Sequence, residues 1–251
     1  MIELRNKCAL VTGGSAGLGA SVARQLAEKG VNLVINYSNS KERAEVLAKE
    51  LRDQYSVQVH VVQADVFGGN DALVQLVEKS VSLLGQLDIV ISNAGWTKFV
   101  PFKDIDQLDD EIWDGCLNAN VKTHFYLFRA AKKYLEASAD GGTFIVSASL
   151  AGRRPYGLSM PYAVSKAALI HLVEILAKSQ GPKIRVHSVC PGLLLTEWGQ
   201  KFSQEVVDLA IESSPIKTVA DVDETAAHFV FLCQISSSTG TTVGVDAGLY
   251  L

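Results

Sequence analysis

KCALVTGGSAGLGASVARQLAEK, residues 7–29, joins a short apolar run to a glycine-rich turn and then to a segment with helical periodicity. We predict a strand over 7–11, the turn over 12–19 and a helix over 20–29. Glycines at 13, 17 and 19 permit positive φ and let backbone N–H groups and a helix N-terminus approach a pyrophosphate. The spacing Gly-x-x-x-Gly-x-Gly differs from the usual Gly-x-Gly-x-x-Gly, and a plain tight turn is the alternative. The position directly after the first strand favours a dinucleotide site.

The alternation of strand and helix continues to the end of the chain. Further strands are predicted at 31–35, 57–62, 87–91, 142–149, 184–190 and 241–245. Further helices are predicted at 41–54, 70–84, 108–138, 162–179 and 221–234. This pattern predicts an α/β fold, a doubly wound Rossmann-type parallel sheet of about seven strands with helices on both faces. The segment 193–216 is irregular by pattern, and it is either a substrate lid or a packed surface helix.

Length and composition set broad limits on the function. The chain has 251 residues, 48% of them hydrophobic, which is enough to bury a large core, and we expect one domain over 1–251. The net charge of -4 comes without a basic stripe, so neither nucleic acid nor an anionic membrane surface is an expected partner. A small molecule is the default ligand.

The start of the chain and the cysteines indicate the compartment. No secretory pattern is present, and no apolar stretch is expected to reach the ~20 residues that a bilayer span requires. We therefore expect a cytoplasmic protein. Four cysteines are scattered without metal-ligand or disulfide spacing, and we expect buried, reduced thiols and no metal.

The end of the second strand is where a dinucleotide fold meets the adenosine ribose. An Asp or Glu there would accept hydrogen bonds from the 2′-OH of NAD, but residues 36–41 read NYSNSK and contain no carboxylate. Hydroxyls, amides and a cation suit a 2′-phosphate better, because they donate hydrogen bonds and do not repel it. A polar loop with Ser40 as the N-cap of the next helix is the alternative, and both interpretations can hold together.

Tyr162 and Lys166 are the strongest candidates for acid–base chemistry. They are four residues apart, so on a helix they share a face, one turn apart. A nearby ammonium favours the phenolate and lowers the phenol pKa from ~10. A solvated Tyr and Lys are the alternative, because Tyr37 and Lys41 repeat the spacing without such a role. The hydroxyls that end the fifth strand, where open sheets place ligands, favour the catalytic interpretation.

The motifs at 12–19 and 93–95, with Ser149, the Tyr162/Lys166 pair and Pro191-Gly192, stand in the order of the short-chain dehydrogenase/reductase family. The chain resembles this family over nearly its whole length. The resemblance implies that Ser149 orients a substrate carbonyl and that Tyr162 donates the proton. It implies that Lys166 lowers the pKa of Tyr162 and binds the nicotinamide ribose, and that Asn120 holds a proton-relay water.

The resemblance also implies a nicotinamide cofactor. The residues expected to contact it are Gly13, Ser15, Gly17, Leu18, Gly19, Tyr37, Ser38, Asn39, Ser40, Asp65, Val66, Asn93, Ala94, Gly95, Tyr162, Lys166, Pro191, Gly192, Leu194 and Thr196. The 36–40 string is similar to the NADPH-binding loop of fungal hydroxynaphthalene-type reductases, whereas Ala16 occupies a place that Arg often holds in NADP-dependent members. We therefore expect NADP(H) to be preferred and NAD(H) to bind more weakly.

Three functions compete at this point. A carbonyl reductase or alcohol dehydrogenase acting on a small carbonyl or alcohol is favoured, because Asn120, Ser149, Tyr162 and Lys166 are all kept together. A cofactor-bound cyclase or isomerase, and a nucleotide-sensing regulator, remain alternatives. Several large side chains could all belong to the core, but each flanks a motif, which suggests an apolar or aromatic ketone pocket: Trp96, Phe99, Tyr156, Met160, Trp198 and Phe202. We expect a homo-oligomer, a tetramer by resemblance or else a dimer, because the long helices offer more apolar surface than one sheet face covers.

Overall fold

The computed structural model describes residues 1–155, 157 and 159–251, with only the backbone of residue 201. Within this part of the chain, seven parallel strands form one sheet in the order β3-β2-β1-β4-β5-β6-β7. The strands are β1 Cys8–Val11, β2 Asn32–Tyr37, β3 Val59–Gln63, β4 Ile89–Ser92, β5 Gly142–Ser147, β6 Ile184–Pro191 and β7 Thr242–Val245. The predicted fold class is confirmed.

Helices connect the strands. They are α1 Gly17–Glu28, α2 Lys41–Tyr55, α3 Asn70–Leu84, α4 Asp110–Leu117, α5 Thr123–Ala137, α6 Met160–Gln180, α7 Gln204–Ser213 and α8 Val222–Gln234. The single helix predicted over 108–138 is wrong in detail, because a π-helical turn, Asn118–Lys122, separates α4 from α5. The π-helical turn leaves the helical backbone continuous between α4 and α5, so the sequence pattern alone does not mark it.

Side chains of the strands contribute to two apolar cores, one on each face of the sheet. In β1, Ala9 and Val11 join a core with α1, α2 and α8. Leu10, between them, joins the other core, to which α3, α5 and α6 contribute. There the rings of Phe128 on α5 and Phe144 on β5 meet edge to face at 5.2 Å. Burial on both faces explains why the strands read as continuous apolar runs.

Helix α6 corrects one expectation from the sequence. Among the described helices, it alone is long and apolar enough to cross a bilayer by length and composition, whereas we expected no such stretch. The core helix of a water-soluble fold passes the same test. Here α6 packs against β6 and α4 and buries Ser165, Lys166 and Leu169. Only 39% of this stretch is buried, so packing inside the fold accounts for part of its apolarity and leaves the rest at the surface.

The strand order places a ligand crevice between β1 and β4. From β1 the chain proceeds outward to β2 and β3, and then returns to β4 and continues in the opposite direction. The connections after β1 and β4 therefore diverge at the carboxyl edge of the sheet, and open α/β folds bind ligands at such a point. The glycine-rich turn follows β1 and residues 93–95 follow β4 directly.

The segment 193–216 contains helix α7 and lies beside this edge. Leu193, Val207 and Ala210 form a small apolar cluster of their own, against which Phe202 and Leu249 pack. A single parallel β-bridge pairs Leu194 with Ala220. The segment is thus held at its two ends, while α7 between them has an apolar core separate from the two main ones.

Candidate active site

A cavity of about 830 Å³ opens along the carboxyl edge of the sheet. Its walls come from the ends of β1, β2, β4, β5 and β6, and residues 193–199 close one side. The strand order puts the ends of β2 and β3 on one side of the crevice and those of β5 and β6 on the other. An elongated ligand can therefore reach both groups of residues.

The glycine-rich turn is built for close approach. Gly13 and Gly17 have φ of 59° and 50°, the left-handed region that glycine adopts at no cost. A Cβ at Gly19 would lie 2.4 Å from the Gly13 carbonyl oxygen, so α1 packs directly on the turn. The first turn of α1 carries no acidic residue, which leaves its N-terminal N–H groups available to an anion.

Asn93 ties three strand ends together beside the turn. Its Nδ2 donates to the Thr12 carbonyl at 3.2 Å, and its Oδ1 accepts from the Ser147 hydroxyl at 2.8 Å. The Thr12 hydroxyl in turn accepts from the backbone N–H of Asn93 at 2.9 Å. These bonds fix the ends of β1, β4 and β5 relative to one another.

The end of β2 differs from the prediction. The strand continues through Asn36 and Tyr37, and Asn36 is buried with its Nδ2 donating to the carbonyls of Tyr37, Val62 and Ala64. Tyr37 packs in the core that contains α1 and does not line the cavity. Pairing with β3 draws this residue into the sheet, and its contact with the cofactor stays a prediction. Ser38 and Asn39 do line the cavity.

Helix α6 presents Tyr162 and Lys166 to the cavity. Ser159 caps the helix by accepting from the Tyr162 N–H at 3.3 Å, and proline in the first turn suits the helix start. The Lys166 Nζ lies 5.7 Å from the centre of the Tyr162 ring. Ser149 also lines the cavity, close enough to the Tyr162 phenol to affect its pKa. The predicted arrangement of Tyr162 and Lys166 on one face of α6 is confirmed.

The protonation of this pair differs from the expectation. Burial raises the pKa of Tyr162 to about 12, although the nearby Ser149 hydroxyl opposes the change. Burial also lowers the pKa of Lys166 to about 8. The Lys166 Nζ donates to the Ser147 carbonyl at 2.7 Å instead of to the phenol. The prediction that Lys166 lowers the pKa of Tyr162 is therefore not met by these residues alone, because desolvation of the phenol is the largest influence on its pKa.

Asn120 lies behind the cavity wall. Its Oδ1 accepts from the Trp96 N–H at 3.0 Å, and its Nδ2 donates to the Trp96 carbonyl at 2.8 Å and to the Ser165 hydroxyl at 3.0 Å. The side chain is fully buried and its amide hydrogens are both used. It holds the chain after β4 against α6, which makes it a positioning residue in this structure.

The other predicted residues divide into two groups. Those that line the cavity, besides Ser149, Tyr162 and Lys166, are Gly13, Gly17, Leu18, Ser38, Asn39, Asp65, Val66, Asn93, Ala94, Gly95, Pro191, Gly192, Leu194 and Thr196. Ser15, Gly19 and Ser40 do not line it.

Of the large side chains, Trp198 and Phe202 line the cavity, and Phe99 meets Phe202 edge to face at 5.7 Å. Trp96 packs over Gly115 instead, and Met160 starts α6 away from the lining. Tyr156 lies outside the described residues.

Two polar contacts near the site were missed at the sequence level. The Ser92 hydroxyl and His124 Nδ1 are 2.6 Å apart, and burial lowers the pKa of His124 well below its usual value. Arg43 forms an ion pair with Glu197, a cavity residue. The cation two residues after the start of α2 was the available signal for the second contact. Cys8, Cys116, Cys190 and Cys233 are buried free thiols, as expected.

Comparison with known proteins agrees with this geometry. The family model described as short chain dehydrogenase matches residues 7–206. This chain belongs to that family. Among its relatives, a Streptomyces violaceoruber protein assigned as ketoacyl reductase 2 of the granaticin polyketide synthase is 35% identical over 97% of this chain and 96% of its own.

Two solved structures, the first of them a short-chain dehydrogenase, superpose closely on this chain. One, from Burkholderia cenocepacia in complex with NADP, is 31% identical with a TM-score of 0.91 and covers 100% of both chains. The other, the NADPH-dependent 3-quinuclidinone reductase of Rhodotorula rubra, is 27% identical with a TM-score of 0.90 over 98% of this chain and 92% of its own. The protein is thus an oxidoreductase of the short-chain dehydrogenase family.

Proposed function

We propose that this short-chain dehydrogenase is a ketone reductase that prefers NADPH and acts on an apolar or aromatic ketone, with alcohol oxidation as its reverse. The observation that carries this proposal is the grouping of Ser149, Tyr162 and Lys166 on one cavity wall beside a glycine-rich turn. A retired scaffold would have no chemical reason to keep this group, which argues against a regulator or a non-redox enzyme. The relatives named for ketone reduction point the same way.

The described residues fit a dinucleotide. The turn with Gly13, Gly17 and the start of α1 would hold the pyrophosphate. Asp65 and Val66 would contact the adenine, and Ser38 and Asn39 would meet a 2′-phosphate without repelling it. Asn93 and Lys166 would hold the nicotinamide ribose, with Thr196 at the carboxamide. The nicotinamide supplies the hydride.

The side chains provide the proton and hold the carbonyl. Ser149 and Tyr162 hydrogen-bond to the substrate oxygen from one side. With its pKa raised to about 12, Tyr162 is a neutral phenol at pH 7 and can give its proton to the alkoxide as negative charge develops on the substrate oxygen. Lys166, whose pKa is lowered to about 8, is mainly an ammonium at pH 7 and stabilises the resulting phenolate. A protonated phenol favours the reductive direction.

The substrate pocket is proposed to lie between α6 and the segment 193–216. Leu193, Trp198 and Phe202 line this part of the cavity and are apolar. Phe99 extends the apolar wall through its contact with Phe202. Pockets of this kind fix a ligand by apolar contact and orient it by a few polar groups, here Ser149 and Tyr162.

The segment 193–216 would act as a lid on one catalytic domain, and the chain would work as a homo-oligomer in the cytoplasm. The apolar side chains of Val164 and Ile175 on α6 are 45% and 51% exposed, and Phe125 on α5 is 37% exposed. Apolar surface on long helices favours burial against another copy. This surface supports the oligomer, and a tetramer or a dimer would cover it.

The test is NADPH oxidation, followed by absorbance, with a panel of cyclic, aromatic and 3-oxoacyl ketones. Tyr162→Phe removes the proton donor and should lower kcat by about 10²-fold or more with little change in cofactor affinity. Tyr134→Phe is the matched control, because Tyr134 also lies beside an ammonium, that of Lys133 at 4.7 Å, but not at the cavity. Turnover of Tyr162→Phe near the wild-type rate, or no ketone accepted by the wild type, would contradict the proposal.

A further inference from the structure

Arg43 sits at the rim of the cavity, at the end where the adenosine of a dinucleotide would lie. It is in the first turn of α2, and its Nη2 donates to the Ser40 hydroxyl at 2.8 Å. Ser40 directly follows the cavity residues Ser38 and Asn39. The Nη1 of Arg43 bonds to the carboxylate of Glu197, which lines the cavity from the lid segment. The guanidinium therefore lies between the end of β2 and the lid.

The end of β2 and the glycine-rich turn add no charged side chain beside the Arg43–Glu197 pair. Residues 36–40, at the end of β2, contain no carboxylate, and Ala16 in the glycine-rich turn provides no cation. Glu197 is the acidic side chain that meets Arg43 among the described residues. The two side chains are 47% and 70% exposed, and such exposed pairs contribute little to stability. Exchange of Glu197 for a stronger anion would therefore cost little.

A phosphate is such an anion. A guanidinium has five N–H donors in one plane and binds phosphate oxygens in pairs, with charge-assisted hydrogen bonds stronger than those to neutral groups. The hydrogen bond to the Ser40 hydroxyl keeps the guanidinium near Ser38 and Asn39, which can donate to the same phosphate. Glu197 itself would repel the phosphate at this distance.

We propose that Arg43 is the residue that selects the 2′-phosphate of NADPH. In the absence of NADPH, the Glu197 carboxylate pairs with the Arg43 guanidinium, and the 2′-phosphate takes the place of this carboxylate when NADPH binds. This inference rests on the proposed function, since it assigns the cofactor preference to one exchange of partners. It has a second consequence. Glu197 is next to Thr196 and Trp198, both cavity residues, so release of Glu197 removes one contact of the first part of the lid segment. NADH, which has a 2′-OH, would leave the Arg43–Glu197 pair in place.

The test measures binding without turnover. Titration calorimetry gives Kd for NADPH and NADH, and for the fragments 2′,5′-ADP and 5′-AMP, which lack nicotinamide. Arg43→Met should weaken NADPH and 2′,5′-ADP by about ten- to hundredfold, since one or two charge-assisted bonds are lost, and leave NADH and 5′-AMP within about twofold. Glu197→Gln should tighten NADPH by a few fold and leave NADH unchanged, because it removes the competing charge.

Arg24→Met and Glu50→Gln are the matched controls. They remove the partners of another exposed Arg–Glu pair, with a bond of 2.9 Å, neither of which lines the cavity. Both should leave the ratio of NADPH to NADH affinity unchanged. The rate of amide hydrogen–deuterium exchange over residues 193–203 should change when NADPH binds to the wild type, and it should change less when NADH binds.

The outcomes separate this inference from the proposed function. If the wild type binds neither dinucleotide, or binds NADH as tightly as NADPH, the proposed NADPH preference fails. If the wild type prefers NADPH and Arg43→Met keeps that preference, Arg43 is not the selecting residue. If Glu197→Gln weakens NADPH, Glu197 supports the bound cofactor, and the exchange of partners is wrong.

Discussion

Gly19→Ala tests whether close packing of α1 on the glycine-rich turn governs both stability and cofactor binding. A Cβ at position 19 would lie 2.4 Å from the Gly13 carbonyl oxygen and 2.7 Å from Asn93 Nδ2. Non-bonded heavy atoms normally keep about 3.5 Å apart, so the turn or Asn93 must move by roughly 1 Å. Asn93 is tied to Thr12 and Ser147 by hydrogen bonds and has little freedom to move.

Two opposing effects set the change in the free energy of unfolding. Position 19 lies within α1, where Ala is favoured over Gly by about 0.5–1 kcal/mol. Overpacking costs about 1–3 kcal/mol, and here the first atom met is backbone, which cannot rotate away. We expect a net loss of roughly 1–2 kcal/mol, which lowers Tm by about 2–8 °C.

Cofactor binding should suffer as well. The displaced turn carries N–H groups proposed to meet the pyrophosphate, and one lost hydrogen bond to a charged group costs about 1.5–3 kcal/mol. We expect the Kd for NADPH to rise at least about tenfold in titration calorimetry. Gly181→Ala is the control, because its Cβ would meet the Ala177 carbonyl oxygen at an ordinary 3.6 Å. A Gly19→Ala protein that is more stable than the wild type and binds NADPH equally well would refute the reasoning.

Three further predictions follow from the site and the core. The kcat/KM for reduction should fall above about pH 8, because the pKa of Lys166 is lowered to about 8 and its ammonium is then lost; a rate that stays flat to pH 9.5 would contradict this. The pKa of buried His187, beside Arg185, is lowered to about 4, so the unfolded chain binds the extra proton and stability should drop as pH falls from 6.5 toward 4. Urea unfolding at pH 7.5 and 5 measures this loss of stability. In His187→Gln the free energy of unfolding should differ less between the two pH values. Light scattering at micromolar concentration should give the mass of a dimer or tetramer, and a monomer mass would exclude the proposed oligomer.

The strand–helix alternation made the sheet predictable from the sequence, because buried parallel strands and amphipathic helices differ in period. The end of β2 was not predictable in this way. Asn36 and Tyr37 are polar or amphipathic and read as a loop, but they pair with Val62 and Gln63 of β3 in the folded sheet. That pairing is a tertiary contact and leaves no local signal.

The candidate site was also predictable only in part. Spacing placed Tyr162 and Lys166 on one helix face, and the family resemblance added Ser149. The pKa of Tyr162 was not accessible, because it depends on how completely the folded chain removes water from the phenol. The Arg43–Glu197 pair joins residues 154 positions apart, so only the fold brings them together.

Helix α6 has two sides with different tasks. Tyr162 and Lys166 face the cavity, while Val164 and Ile175 face outward with half of their surface exposed. If a second copy of the chain covers the outer side, helix α6 connects the subunit contact directly to Tyr162, the proposed proton donor. Dilution below the dissociation constant of the oligomer would then lower the specific activity, and substitutions at Val164 would alter turnover without touching any reacting atom.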